Sequence, residues 1–366
     1  MKAGRSNFPI AKFQSFPPTF NNPTFHPRKL QAHLHKCGPF TALKRSKDHE
    51  TNLNNKQQKK LIMSQQSLYK SVLVVGATGN VGSFVTRALL SQKANVSILV
   101  RKESESKASQ LKDLGARIVY GDVTSSTEEE LVRALRGIDV IVSTLAGSPE
   151  IVYNGQVKLL EAAKKSGVKK FIPTAFGVDF DKTPFGDVLI NDPKKKFTND
   201  LAKSGLEYVQ IHTGILASYA ASPTFLFTYD KNTNTVRYDG DVNVPLEVTA
   251  LEDVGRFTAE AALRHDIKKH DINVKGDTLT IKEIAQLVYG DKVVLQQGRT
   301  TEQLKKSIDD RLQKGVPPQE FSSFIIDQLR WVVITQRGRP THVDNQLFPN
   351  IHPRTFKEFL TAQTSH

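Results

Sequence analysis

The stretch Val72–Val85, "VLVVGATGNVGSFV", decides how the rest of the chain is read. An apolar run suited to a buried strand stops at three glycines spaced three apart, Gly76, Gly79 and Gly82, and an amphipathic pattern follows. A chain turning sharply from a parallel strand into a helix needs Gly76 for backbone angles other residues resist. Gly79 keeps a Cβ out of the way of a pyrophosphate, and Gly82 lets helix and strand pack closely. The free N–H groups and the positive helix end then attract phosphate. Gly76, Thr78, Gly79, Asn80, Val81 and Gly82 are the expected diphosphate-binding residues.

The context agrees with that turn. Working outward, "SVLVV" (71–75), "NVSILV" (95–100), "RIVYG" (117–121), "VIVST" (140–144), "KFIPT" (170–174) and "YVQIHTG" (208–214) read as strands. Helical patterns fall between them at about 81–92, 103–114, 127–136 and 152–166. Strand and helix alternating at this spacing predict a doubly wound parallel α/β sheet, a Rossmann fold. Beyond Ser218 turn-rich segments precede helices at about 252–264, 281–288 and 301–314, which suggests a smaller C-terminal substrate lobe. The expected division is residues 1–66 as an extension, 67–218 as the nucleotide-binding domain and 219–366 as the smaller lobe.

The second strand ends "ILVRKESESK". A carboxylate there would bond ribose hydroxyls, as in NAD sites; instead Arg101 and Lys102 stand there, with Lys107 further on. A guanidinium grips a 2′-phosphate that a carboxylate would repel, so the expected cofactor is NADP(H).

Charge and composition narrow the alternatives. The chain has 366 residues and a net charge of +14, but residues 1–62 carry 12 Lys/Arg against Asp48 and Glu50, which leaves the main body an ordinary surface. That proline-bearing leader reads as mostly disordered. It could serve as an organelle transit segment, a tail for nucleic acid or anionic surfaces, or an extension with no structural role, and Met63 could be the start of a compact protein. The single cysteine, Cys37, excludes an internal disulfide and a cysteine-based zinc cluster. No metal-ligand spacing is visible along the chain, and no apolar run reaches eighteen residues. A cytoplasmic location is expected, with organelle import through residues 1–62 as the alternative.

With "GATGNVG", "LVRK", "VKKFIPTAFGVD" and "LEYVQIHTGILASY" in view, the chain resembles the NmrA-like and isoflavone-reductase-like atypical short-chain dehydrogenases, over about Lys70 to Leu360. None of its eight tyrosines has a Lys four residues on, the usual catalytic pair of short-chain dehydrogenases. The resemblance implies a catalytic lysine fourteen residues before the Tyr of "LEYVQI", which is Lys194. Helix geometry favours the same residue: Pro193 suits a first turn, and Phe197 and Leu201 mark a buried stripe. Lys194 lies about 40° from the middle of that stripe, whereas Lys195 and Lys196 lie more than about 100° away and are expected to face water. The sequence departs from the reductases at Thr174-Ala175-Phe176-Gly177, where they carry Ser-Glu-Phe-Gly, and at Thr198 and Asn199, where they carry two arginines. His212, ending a strand, is expected to be a satisfied core group.

Three functions follow as expectations. The first is an NADPH-dependent reductase of a small aromatic or carbonyl-bearing substrate. The second is a non-catalytic NADP(H) sensor presenting its second lobe to a regulatory protein, as the resemblance implies. The third, and weakest, is nucleic-acid binding through the leader.

Overall fold

The computed structural model describes residues 69–267 and 270–364; the readings made for residues 1–66 lie outside them. Six strands form the main sheet: β1 (Ser71–Val75), β2 (Asn95–Val100), β3 (Arg117–Tyr120), β4 (Val140–Ser143), β5 (Lys170–Ile172) and β6 (Glu207–Tyr208). Their order is β3-β2-β1-β4-β5-β6 and every pairing is parallel. The order reverses between β1 and β4, so a crevice opens beyond the carboxyl ends of those strands, where doubly wound sheets bind ligands.

Both faces of the sheet are covered, which is why its strands read as nearly unbroken apolar runs. Val72 and Val74 belong to the apolar cluster of one face, and Leu73 and Val75 to that of the other. On the first face lie α1 (Asn80–Ser91) and α6 (Leu251–Leu263). A Cβ on Gly255 would meet the Phe84 carbonyl oxygen at 2.6 Å, so only glycine lets these two helices approach so closely. Opposite them lie α3 (Glu128–Ala134), α4 (Gly155–Ser166) and α5 (Asp192–Ala202).

Three elements differ from expectation. The helix expected at 103–114 is a 3-10 stretch, Lys102–Ala108, followed by the short α2 (Ser109–Asp113). Within "KESESKA" only Ala108 is buried, so little apolar packing favours a regular helix there. The helix at 152–166 begins with a π-helical turn at Glu150–Asn154 before α4. The sixth strand divides: β6 pairs with β5, while β7 (Gln210–His212) pairs with β12 (Asp271–Asn273).

The rest is more strand-rich than its turn signals suggest. β9 (Phe227–Asp230) and β10 (Thr235–Tyr238) form a hairpin, and β14 (Val294–Gln297) joins its edge. β8 (Ile215–Leu216), β11 (Pro245–Thr249) and β13 (Asp277–Thr280) form another small sheet. With α7 (Ile281–Tyr289), α8 (Thr301–Lys314), α9 (Phe321–Ile334) and α10 (Phe356–Thr364) these elements share a third apolar core. Among the described residues no helix is long and apolar enough to cross a membrane.

Candidate functional site

The glycine turn has the geometry its sequence calls for. Gly76 sits at φ +83°, and a Cβ there would lie 2.9 Å from the Thr144 carbonyl oxygen. A Cβ on Gly82 would lie 2.3 Å from the Gly76 carbonyl oxygen, so helix and turn touch backbone to backbone. A Cβ on Gly79 would meet only the Gly76 oxygen, at 3.3 Å, and otherwise opens to solvent. Gly79 caps α1 without a side-chain hydrogen bond, and the first turn carries no acidic residue. The amides of Asn80, Val81 and Gly82 therefore face outward with no intrahelical acceptor and with the dipole unneutralised. Thr78 is exposed on the same turn. The geometry of this cradle suits an anionic diphosphate.

Thr144, absent from the sequence reading, holds the cradle: its hydroxyl donates to the Val75 carbonyl at 2.9 Å, under both Gly76 and Gly82. Only its position after β4 signals it.

One strand over, Arg101 directly follows the end of β2. Val100 is in register with Tyr120 at the end of β3, so the residues leaving both strands share one edge. They line a cleft of about 550 Å³ that includes Arg101, Lys102, Tyr120, Gly121 and Asp122. The Arg101 guanidinium is exposed and loosely held, 3.6 Å from Glu103 and 3.5 Å from the Ser104 hydroxyl. It is free to close on a phosphate. Lys107 lies in the last turn of the 3-10 stretch, exposed and outside the cleft-lining set.

Beyond β5 and β6 the chain builds the polar half of the site. Pro193 occupies the first turn of α5 and Asp192 accepts from the Gly186 amide, which fixes the helix start. Lys194 is half-buried, its Nζ 5.8 Å from the centre of the Phe180 ring. Its ammonium has no hydrogen bond or ion pair with another described residue, and burial pulls its pKa down to about 8. Lys196 is exposed, over the Tyr153 ring at 4.0 Å. Lys195 is not in water: it is 5% exposed, donates to the Thr183 carbonyl and lies over the Phe185 ring. The segment at 183–185 covers the side of α5 that faces away from the sheet, which helix periodicity cannot reveal.

Where the reductases carry charge, this chain has a neutral relay. Thr198 is buried, and its hydroxyl lies 2.7 Å from Gln210 Oε1 and 3.1 Å from the Lys194 carbonyl. Gln210 in turn donates to Asp181 at 2.9 Å and Asp271 at 2.6 Å. Asn199 is exposed. Thr174 is held in the framework, its amide donating to Gln156 Oε1 and its hydroxyl to the Leu145 carbonyl.

His212 is not satisfied. It is 2% exposed, yet neither ring nitrogen has a hydrogen-bond partner. Although the linear sequence has no metal-ligand spacing, Asp179, Asp181 and His212 converge in the fold, with one donor atom from each within 4.8 Å of the others. Desolvation raises the Asp181 carboxyl above its usual range; Gln210 and His212 oppose the shift, and Asp271 and Asp179 add to it.

Comparison with known proteins agrees with the fold. Residues 69–360 match the model of the NmrA-like family. An "NmrA-like family domain-containing oxidoreductase" of Gibberella moniliformis is 30% identical over 276 residues, 69% of this chain and 86% of that protein. Pinoresinol reductase 1 of Arabidopsis thaliana is 32% identical over 232 residues, 59% of this chain and 72% of that protein. Among solved structures, the complex of leucoanthocyanidin reductase with NADPH from Vitis vinifera superposes with a TM-score of 0.67 at 24% identity, covering 81% of this chain and 100% of that one. The matched segment begins just before β1 and ends in α10, so it spans the glycine cradle, Lys194 and the third core: the chain belongs to the NmrA-like family.

Proposed function

We propose that this protein is an NADPH-dependent reductase of a small aromatic or carbonyl-bearing substrate, with Lys194 as its proton-handling group. The observation that carries the reading is the Lys194 ammonium: desolvated, unpaired among the described residues, and lowered to about 8 on the first turn of α5. A lysine tuned that close to neutrality can hold and release a proton at working pH. Relatives named as reductases support the reaction class, and pinoresinol reductase supports the aromatic substrate. The leucoanthocyanidin reductase solved with NADPH supports the cofactor.

In this reading the amides of Asn80, Val81 and Gly82 hold the diphosphate, and Arg101 and Lys102 hold the 2′-phosphate. Bound NADPH supplies a hydride. Residues 67–218 carry the cofactor side and 219–366 the substrate side, with irregular segments at 176–192 and 216–245 setting specificity. Phe180 gives Lys194 an apolar floor that excludes water from its ammonium.

The test is single-turnover absorbance of NADPH across quinones, enals and aryl ketones. Oxidation by at least one substrate, lost in Lys194→Ala with cofactor affinity intact, is the expected result. Tight NADPH binding without oxidation by any substrate would refute turnover and leave the sensor reading.

A further inference from the structure

We propose that Asp179, Asp181 and His212 form a binding site for one divalent transition-metal ion of the zinc type, with Asp271 within reach as a fourth ligand. The proposal is independent of the reductase reading. The His212 imidazole is unsatisfied, whereas a ring this deeply buried ordinarily finds a partner for its nitrogens. His212 Nε2 lies 3.9 Å from Asp179 Oδ1 and 4.0 Å from Asp271 Oδ1. Those gaps are too long for hydrogen bonds. Neighbouring ligands of a tetrahedral ion bound at about 2.1 Å stand about 3.4 Å apart, so a shift of about half an ångström brings these atoms to ligand spacing.

Charge and the surrounding hydrogen bonds agree. Three carboxylates and one imidazole meet beside Lys182, whose Nζ is 3.7 Å from Asp179 Oδ2, and Lys195 acts on Asp181 from further off. The Lys182 ammonium is also committed to the Arg339 carbonyl at 2.8 Å. With neutral His212 the cluster keeps a net charge of −2, which a dication would neutralise. An imidazole among carboxylates suits zinc, and also manganese or iron, better than magnesium or calcium. Gln210 donates to Asp181 and Asp271 and is itself braced by Thr198, the kind of outer contact that orients carboxylate ligands. The exposed Asp181 side chain provides an entry path. Phe180 stands edge-on to His212 at 5.1 Å and beneath Lys194, so a bound ion would brace the floor of the lysine site.

The experiment titrates the full chain, stripped of metal, with Co²⁺ followed by visible absorption, and with Zn²⁺ followed by calorimetry. His33, His35 and Cys37 in the leader can also take such ions, so the quantity read is what substitution removes. Wild type is expected to bind an equivalent of Co²⁺ with a ligand-field band that Zn²⁺ displaces. Asp181→Asn, at an exposed position that folding tolerates, and His212→Gln should each weaken that equivalent at least a hundredfold. Gln210→Leu should weaken it about ten- to a hundredfold. No band and no heat in the wild type would overturn the proposal. So would binding that is unchanged in both Asp181→Asn and His212→Gln.

Discussion

Replacing Lys194 by methionine keeps the length of the side chain and removes its charge, and it should make the protein inactive and more stable at once. The ammonium pKa falls from 10.5 to about 8 because burial disfavours the charged form. At about 1.4 kcal/mol per pH unit, that sets a ceiling of about 3 kcal/mol on the cost of the buried charge. The side chain is half-buried and water still reaches part of it, so the working figure is about 1–2 kcal/mol. The folded pKa lies below the unfolded one, so the penalty is complete below pH 8 and fades as pH rises towards 10.5. Lys194→Met should therefore gain about 1–2 kcal/mol at pH 7, roughly 1.5–2 °C in Tm per kcal/mol for a body of this size, and lose most of that gain by pH 10. Thermal melts of both proteins at pH 7 and pH 10 measure this. A variant that is less stable than wild type at pH 7, or whose gain is the same at both pH values, would show that the ammonium is not buried at a cost.

Further outcomes test the rest of the site. Gly79→Ala should fold with little change in Tm, since its Cβ meets only one atom at 3.3 Å, yet weaken NADPH binding about tenfold or more. Gly82→Ala, with its Cβ 2.3 Å from a backbone oxygen, should lose stability by about 2 kcal/mol or more, so melts and cofactor titrations separate the two glycines. Arg101→Ala should weaken NADPH about tenfold and leave NADH unchanged in calorimetry at fixed salt, because one charge-assisted contact to an exposed phosphate is lost. With protonated Lys194 as the donor, the rate of the chemical step should hold below pH 8 and fall above it. Lys194→Arg should abolish that inflection.

The glycine cradle and the strands were legible because their determinants are local: a period, a capping position, a residue without a Cβ. The β9–β10 hairpin was not. Its sequence, "FTYDKNTNTVRY", is dominated by turn-forming polar residues, and its apolar members pack on helices far along the chain. Lys195 shows a second limit. Periodicity identifies the stripe of α5 that faces the sheet but says nothing of a loop lying over the other side. His212 shows a third: its neighbours come from the 179–181 loop and from β12, some sixty residues away, and no spacing rule joins them.

At 198 and 199 the chain departs from the reductases it resembles, carrying Thr and Asn where they carry two arginines. In the fold the difference has a local consequence for Lys194. An arginine at the Thr198 position would sit one helical turn from Lys194, and a neighbouring cation lowers a lysine pKa by repulsion. Here burial alone lowers it, and Thr198 instead bonds Gln210, tying α5 to β7 and to the carboxylates beyond. Removing the arginines thus leaves Lys194 tuned by solvent exclusion, so its pKa depends on how well Phe180 seals it. Phe180→Ala should let water in, return the lysine towards 10.5 and carry the upper limit of the pH–rate profile upward with it. A profile that stayed near pH 8 in that variant would mean that something other than burial sets the proton affinity of Lys194.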